Sequence, residues 1–268
     1  QLIQERTEAI AFMNERLKTE ITERQRAETD ALQALEKERE LNELKSRFIT
    51  TASHEFRTPL SIVLTSAELL ERLGSDCSDE RRLHYLQKIR EAVRSMTTIL
   101  SNLLTLGKAD SGTLEFRPVQ FDLQKFCNSL LSDLHLGTES QPFVKFSFSG
   151  DRTQVSLDPE LLTLILNHLL SNAIKYSRSH GEIELQVNCS DRCAAFRVSD
   201  RGIGIPVNDL PRVMEPFHRA TNVDTIPGTG LGLSIVKDCV SLHRGKLQIN
   251  SELGEGTIVT VQLPFASI

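Results

Sequence analysis

The sequence of 268 residues carries 31 basic and 36 acidic side chains, which gives a formal net charge of −5 at pH 7. Hydrophobic residues make up 39% and charged residues 25%, proportions that are typical of folded protein and exclude wholesale disorder and collagen-like repeats. The acidic balance gives no support to a nucleic-acid-binding protein, because such proteins usually carry a basic excess.

The five cysteines are odd in number and form no CxxC pair, so we expect thiols in a reducing compartment rather than a disulfide framework or a zinc site. The sequence has no apolar run of about 18 residues, so we expect no membrane contact by this part of the chain. It begins with Gln1 and shows no signal-peptide pattern, and we expect a fragment of a longer protein. These features favour a cytoplasmic location, with any membrane anchor upstream.

Residues 1–50 contain no Gly or Pro and are rich in helix-forming residues, which predicts a long exposed helix. Its apolar positions include Ile3, Ile10 and Leu17, spaced by seven, and Leu41, Leu44 and Phe48, spaced by three and then four. This spacing predicts a parallel two-stranded coiled coil. Residues 22–30 offer only Ala27 to the seam, so the coil has a weak middle, and a solvated single helix is the alternative.

The helical pattern continues through Phe56 to Leu73 and stops at residues 74–79, and a second helix is predicted from Glu80 with Asp79 as its N-cap. The apolar stripe of this second helix consists of Leu83, Leu86, Ile89, Val93, Met96, Leu100, Leu103 and Leu104. The two helices form a hairpin whose apolar faces exceed what the hairpin can cover. We therefore expect dimerisation into a four-helix bundle.

From about Leu114, alternating strand patterns are interleaved with helical ones, which predicts an α/β sandwich of roughly 150 residues. The predicted strands cover 144–148, 182–188, 194–199, 246–251 and 257–263, and the predicted helices cover 123–136, 159–176 and 231–243. The segment from 205 to 228 shows little periodicity and contains four prolines. Long connections of this kind are usually functional, so we interpret it as a mobile lid.

The predicted helix 159–176 gathers polar side chains on one face. Asp158 suits its N-cap and Pro159 its first position. The polar face carries His168, Asn172, Lys175 and Tyr176, since side chains three and four residues apart meet on a helix. A solvated surface explains such a group when it stands alone.

Two glycine-rich segments flank the predicted lid. Residues 200–205, Asp-Arg-Gly-Ile-Gly-Ile, follow a strand, and residues 228–233, Gly-Thr-Gly-Leu-Gly-Leu, precede a helix. Glycine lets backbone N–H groups approach phosphates closely, and a helix N-terminus favours an anion. Neither segment has the spacing of a dinucleotide-binding fold or a P-loop.

A second candidate site lies on the first hairpin helix, at His54. Glu55 can accept the Nδ1 proton and so leave Nε2 as a nucleophile. Pro59 removes the hydrogen bond back to Glu55 and is predicted to loosen the helix around the imidazole.

Together these elements resemble the H, N, D, F and G boxes of HisKA-type sensor histidine kinases. The matching segments are Ser53–Leu60, Leu169–Ser177, Asp200–Ile205, Glu215–Arg219 and Gly228–Leu233, followed by Gly254–Thr257. The resemblance covers about 45–264. It implies a coiled coil in 1–45, a dimerisation and phosphotransfer hairpin in 46–112, and in 113–268 an ATP-binding domain of the histidine kinase and Hsp90-like type.

The resemblance also implies roles for single residues. His54 would accept the γ-phosphoryl group of ATP and pass it to an aspartate of a response-regulator receiver domain. Glu55 would act as the general base, and Thr58 would assist phosphatase activity toward the regulator. Asp200 would bind the adenine amino group, with Thr257 assisting through water. The remaining implied nucleotide-binding residues are Asn172, Lys175, Tyr176, Gly202, Gly204, Phe217, Arg219, Gly228, Gly230, Leu231 and Gly232.

His168 departs from the family pattern, which has an asparagine metal ligand four residues before Asn172. Asn167 lies five residues before Asn172 and is predicted to point away from it. Mg²⁺ prefers oxygen ligands, whereas imidazole suits softer ions. The sequence therefore predicts that the activity supported by Mg²⁺ is weak and that Mn²⁺ partly restores it. The alternative is that His168 is a neutral replacement.

Three functions remain open at this point. The chain is a homodimeric histidine kinase, a degenerate kinase that binds nucleotide and mainly dephosphorylates or sequesters its regulator, or a chaperone- or topoisomerase-type ATPase clamp. The residues around His54 and the coiled coil have no role in the last.

Overall fold

The computed structural model describes residues 2–73, 78–135, 144–150, 152–177, 181–223, 226 and 228–266. The chain divides into two compact units, residues 1–51 and 52–268. Helix α1 spans Leu2–Leu73 and includes Pro59. An all-helical N-terminal region followed by an α/β domain is therefore confirmed.

In the first unit, the described apolar side chains of α1 are solvent-exposed. They include Met13, Leu17, Ile21, Leu32, Leu35 and Ile49. The side chains of the other predicted seam positions, Ile3, Ile10, Leu41, Leu44 and Phe48, lie outside the described residues. The coiled coil stays a prediction.

The second unit begins with the helical hairpin. Helix α2 spans Asp79–Asp110, and residues 74–77 before it lie outside the described residues. The prediction that Asp79 is the N-cap was wrong, because Asp79 is already helical and Ser78 holds the N-cap position in extended backbone. Ser and Asp are both good caps, so local sequence could not separate neighbouring positions. Asp79 instead places a negative charge in the first turn, where the helix dipole favours it.

Helix α2 carries two apolar stripes on different faces. The buried stripe consists of Ala92, Ile99 and Leu106, which recur every seven residues. The exposed stripe consists of Leu86, Val93 and Leu100, with the same spacing, flanked by Leu83 and Leu104. The sequence predicted only one stripe, which mixed members of the exposed one with partly buried side chains. The sequence did not reveal the buried one, because burial depends on contacts between distant parts of the chain; Leu106, for example, belongs to the core of the following domain.

The following domain contains two sheets. Strands β1 (Val119–Asp122) and β3 (Gln154–Leu157) form a small antiparallel pair. The larger sheet has the order β2-β4-β5-β7-β6, in which only the β2–β4 pair is parallel. Its strands are β2 (Val144–Ser149), β4 (Ile183–Cys189), β5 (Cys193–Asp200), β6 (Lys246–Glu252) and β7 (Gly256–Pro264).

Helices α3 (Leu123–His135), α4 (Pro159–Tyr176) and α5 (Gly232–Leu242) share one hydrophobic core with the inward side chains of the larger sheet. Strands β4 and β5 alternate buried with more exposed residues, as strands covered on one face do. The five long predicted strands and the three helices are present with small shifts in their ends. The sequence missed β1 and β3.

Helix α4 begins as predicted. The Asp158 side chain accepts hydrogen bonds from the N–H groups of Glu160 and Leu161, at 2.9 and 3.0 Å, and Pro159 follows it. Asp158 also accepts a 2.7 Å hydrogen bond from the N–H of Arg117. This bond connects the segment after α2 to the start of α4. Between α4 and α5, the described residues from 205 to 223 form turns without regular helix or strand.

Candidate functional site

A cavity of about 430 Å³ lies among α4, α5, strands β5 and β7, the segment before α5, and the hairpin helices. Of the predicted nucleotide-binding residues, the ones that line it are Asn172, Lys175, Tyr176, Asp200, Gly204, Arg219, Gly228, Gly230, Gly232 and Thr257. His168 lines it as well. Leu231 is instead fully buried and Phe217 packs against the core, so these two support the cavity wall from behind.

Asp200 ends strand β5 at one end of the cavity. Its Oδ1 accepts a 2.9 Å hydrogen bond from the N–H of Gly202. Burial raises the pKa of this carboxyl group, while hydrogen bonds from the backbone of Gly202 and Thr257 oppose the rise. Gly202 has to be glycine, because a Cβ there would overlap the carbonyl oxygen of Tyr176. The carboxylate is thus held in a fixed position for a hydrogen-bond donor.

Ser251 is a residue of this end that sequence reasoning missed. Its hydroxyl donates to the carbonyl of Gly256 at 2.8 Å and accepts from the N–H of Ile205 at 2.9 Å. It also lies 2.9 Å from the hydroxyl of Thr257, which pairs with Asp200 across β5 and β7. These contacts depend on strand register, so no local pattern could have revealed them.

The other end of the cavity is the start of α5. The N-cap position, Leu231, provides no side-chain cap, so the first-turn N–H groups are available to a ligand. Gly230 has φ +71°, and a Cβ there would press on the backbone of Phe217 and His218. A helix N-terminus opened by glycine is a favourable place for an anion.

Polar side chains of α4 converge on this helix start. A Cβ added to Gly232 would lie 3.3 Å from Nδ1 of His168 and 3.8 Å from Nδ2 of Asn172. Burial lowers the pKa of His168 to about 4, so its imidazole is neutral near pH 7. Lys175 donates a 2.9 Å hydrogen bond from Nζ to the hydroxyl of Tyr176 and supplies positive charge beside Gly228.

Arg219, a predicted source of positive charge, forms hydrogen bonds to the backbone of the segment before α5. Its guanidinium donates to the carbonyls of Val223 and Ile226. Asp209, which sequence reasoning missed, accepts hydrogen bonds from the N–H and hydroxyl of Thr221 at 2.8 and 2.9 Å. These bonds hold the pKa of Asp209 below its usual value.

The two residues of the predicted phosphotransfer pair face different surroundings. The side chain of His54 is 75% exposed, while that of Glu55 is 17% exposed and lines the cavity. Oε1 of Glu55 lies 4.0 Å from Nδ1 of His54, which is beyond hydrogen-bond distance, so the predicted bond is not formed in this conformation. The hydroxyl of Thr58 lies 3.5 Å from the carbonyl oxygen of His54.

Helix α2 also contributes to the cavity, which the sequence did not predict. Ser95, Thr98, Ile99 and Asn102 line it. Their contribution depends on how α2 packs against α5, and neither helix shows this by itself.

Comparison with known proteins separates the functions that the geometry allows. The family of histidine kinase-, DNA gyrase B- and HSP90-like ATPases matches residues 157–267. That description covers kinases and ATPase clamps alike. The His Kinase A (phospho-acceptor) domain matches residues 44–112, which surround His54. The chain belongs to the HisKA-type sensor histidine kinases.

The curated relatives of this histidine kinase core include the sensor protein kinases WalK of Staphylococcus haemolyticus and Staphylococcus aureus. Each is 30% identical to it over 224 residues, which are 82% of this chain but 36% of the relative. The chain therefore spans about a third of the length of these relatives.

Solved histidine kinase structures share the fold. Acinetobacter baumannii AdeS is 21% identical, with a TM-score of 0.58 over 80% of this chain and 98% of AdeS. Full-length ShkA in complex with AMPPNP is 25% identical, with a TM-score of 0.59 over 82% and 46% of the two chains. ThkA in complex with the response regulator TrrA is 17% identical, with a TM-score of 0.57 over 82% and 61%.

Two further observations concern the described part of this kinase core. None of its helices combines the length and apolar character needed to span a bilayer. Its described cysteines, Cys127, Cys189, Cys193 and Cys239, are free thiols.

Proposed function

We propose that the chain is an ATP-dependent protein-histidine kinase that phosphorylates its own His54. The observation that carries this proposal is the pairing of an exposed imidazole on one helix with a separate cavity bounded by Asp200 and the glycine-rich start of α5. In the proposed step, Nε2 of His54 attacks the γ-phosphorus and the bond to the β-phosphate oxygen breaks, releasing ADP. Glu55 accepts a hydrogen bond from Nδ1–H and takes that proton as the ring becomes positively charged, so its side chain has to move toward the ring.

The cavity supports a specific orientation of ATP. Asp200 accepts a hydrogen bond from the adenine amino group, with Thr257 beside it. The anionic phosphates lie at the start of α5. There Gly228, Gly230 and Gly232 admit the phosphates to backbone N–H groups, and Leu231 and Phe217 hold that backbone. Asn172, Lys175 and Tyr176 line the nucleotide between the two ends, Gly202 and Gly204 shape the turn after Asp200, and Arg219 steadies the lid. Phosphoryl transfer requires mainly alignment and charge neutralisation, which these positions provide.

The donor atoms near the start of α5 fit a divalent cation that accepts both oxygen and nitrogen. Among the described residues, no three His, Cys, Asp or Glu side chains gather into a metal site of their own. The candidate ligands are Nδ1 of His168 and the side-chain carbonyl oxygen of Asn172, an amide whose Nδ2 lies near the same glycine, Gly232. Mg²⁺ bound with ATP neutralises phosphate charge, and Mn²⁺ does so while accepting imidazole more readily.

His168 is therefore proposed to set the metal preference of nucleotide binding. The test compares the dissociation constant of ADP in Mg²⁺ and in Mn²⁺, for the unmodified chain and for His168→Asn. The substitution should tighten binding in Mg²⁺ and shrink the advantage of Mn²⁺. Unchanged Mg²⁺ titrations of binding and autophosphorylation in His168→Asn would show that His168 is a neutral replacement.

The proposed partners are a second copy of this chain and a response-regulator receiver domain. The stripe of Leu86, Val93 and Leu100 on α2 is solvent-exposed in the single chain and is therefore available to a second hairpin. His54 is exposed enough to meet a receiver aspartate, and Thr58, also exposed one turn later, is placed to orient water in the reverse hydrolysis. The use of ATP and the free thiols favour the cytoplasm as the site of these reactions.

Incubation with γ-labelled ATP tests the proposal. We expect acid-labile, alkali-stable label on the chain and no label on His54→Gln, with His84→Gln, a substitution at an exposed histidine of α2, as the control. Nucleotide binding without label would instead indicate a degenerate kinase. Steady ATP hydrolysis that persists in His54→Gln would indicate an ATPase clamp.

A further inference from the structure

The side of α2 that carries its buried positions becomes polar where it borders the cavity. Its buried positions, Ala92, Ile99 and Leu106, are apolar. Ser95 and Asn102 follow Ala92 and Ile99 by three residues on the same face, and both line the cavity. Ser95 is exposed and Asn102 is half-buried, so both side chains border the open volume of the cavity rather than a packed interface. They are therefore available to a polar ligand.

The hydrogen-bonding capacity of these side chains is unused. Within the described residues, neither the Ser95 hydroxyl nor the Asn102 amide makes a hydrogen bond, and Asn102 is half-buried. The neighbouring Thr98 differs, because its hydroxyl donates to the carbonyl of Arg94 at 3.0 Å. Both side chains remain accessible to water, which a ligand in the cavity would replace as their hydrogen-bond partner.

The path of the chain places these residues at the phosphate end of the cavity. Phe116, which follows α2, packs edge-on against His243 just after the end of α5, with ring centroids 4.9 Å apart. Helix α2 packs against α5, and the cavity lining that includes Ser95 and Asn102 also includes Gly228, Gly230 and Gly232. These glycines are at the start of α5, where the phosphates are proposed to lie.

We propose that Asn102, together with Ser95, donates hydrogen bonds to the polyphosphate of a nucleotide bound by the same chain. This inference rests on the proposed nucleotide binding. It adds residues of the hairpin to the set that contacts the nucleotide. The two residues act as positioning residues. A nucleoside triphosphate then holds the ATP-binding domain against its own hairpin, while adenosine lacks the groups to do so.

Equilibrium binding of AMP-PNP and of adenosine to the full 268-residue chain tests the inference. Asn102→Leu, which matches the apolar character of its neighbours, should weaken AMP-PNP binding about three- to tenfold, the worth of one lost hydrogen bond. Ser95→Ala should weaken it to a smaller extent and carries the test if Asn102→Leu does not fold. Adenosine binding should be unchanged in both variants.

Two control variants define the result. Ser101→Ala removes an exposed hydroxyl on α2 outside the cavity and should bind AMP-PNP as the unmodified chain does. Asp200→Asn should weaken AMP-PNP and adenosine alike, which tests the proposed function separately. The inference is overturned if both Asn102→Leu and Ser95→Ala bind AMP-PNP normally, or if their losses are equal for adenosine.

Discussion

Nδ1 of His54 lies 4.0 Å from Oε1 of Glu55, yet the first side chain faces solvent and the second faces the cavity. Neighbouring residues on a helix are turned by about 100° from one another, so His54 can face solvent while Glu55 faces the cavity. The imidazole is open to the proposed phosphoryl donor and receiver domain, while the carboxylate stays within about 1 Å of hydrogen-bond distance to Nδ1. A small movement of Glu55 would bring it within hydrogen-bond distance of Nδ1, as its proposed role as general base requires.

Glu55→Gln should slow autophosphorylation about 10²-fold, because an amide stabilises the imidazolium-like ring far less than a carboxylate does. Nucleotide affinity should not fall, since the substitution removes a negative charge from the cavity that is proposed to receive the phosphates. Initial labelling rates and nucleotide dissociation constants measure the two effects. Glu71→Gln, at an exposed position of the same helix, is the control; labelling by Glu55→Gln at the unmodified rate would contradict the proposed role.

The sequence predicted those parts of the fold and site that depend on neighbouring residues. Asp158 and Pro159 indicate a helix start in any context. The glycines around Asp200 and Gly230 indicate tight turns, because glycine adopts backbone conformations that other residues avoid. Strands β1 and β3 were missed because four residues are too few to show an alternating pattern.

The undetected site residues all depend on contacts between distant parts of the chain. Asn102 reaches the cavity only because α2 packs against α5, and Ser251 reaches Thr257 only through the register of β6 and β7. The 4.0 Å separation of His54 and Glu55 likewise reflects the environment of each side chain. Adjacency in sequence indicated the pair but not its geometry.

Gly204→Ala should destabilise the domain by at least about 2 kcal/mol and abolish nucleotide binding. Gly204 has φ +66°, and a Cβ there would overlap the carbonyl oxygen of Glu252, so the turn after Asp200 would have to move. Urea unfolding and nucleotide titration measure both effects.

Gly107→Ala is the matched control for this substitution. Gly107 lies inside α2, and a Cβ there meets nothing within 4 Å. This change should raise the unfolding free energy by about 0.5–1 kcal/mol, the difference in helix propensity. Equal effects of the two substitutions would show that the geometry of Gly204 is not the reason for its presence.

Leu100→Glu should weaken dimerisation at least about tenfold, because it puts a charge into the exposed stripe proposed to meet the second copy. Leu100 is 51% exposed in the single chain, so the substitution should leave each chain folded. Sedimentation over a range of concentrations measures the dissociation constant. Ser101→Glu introduces the same charge at the next residue, off this stripe, and should preserve the dimer; equal loss in both variants would place the interface elsewhere.

His243 should make the stability of the domain fall as pH decreases. It is buried, its Nδ1 donates to the carbonyl of Cys239 at 2.9 Å, and its Nε2 accepts a 3.3 Å hydrogen bond from the N–H of Asp158. Burial holds its pKa below the ordinary 6.5, although the bond to Cys239 and the charge of Asp158 oppose the shift. The unfolded chain therefore binds the proton more readily, and stability is lost from about pH 6.5 downward until the folded pKa is reached.

Urea unfolding at pH 7.5 and at pH 5.5 isolates this contribution. His243→Gln should be less stable than the unmodified chain at the higher pH, because the buried hydrogen bonds are disturbed, but should lose less stability between the two. His168, whose pKa is also lowered, contributes in the same direction and cancels in the comparison because both chains retain it. His84→Gln, at an exposed histidine, should keep the full pH dependence. An unchanged loss in His243→Gln would mean that its imidazole is not the group that titrates.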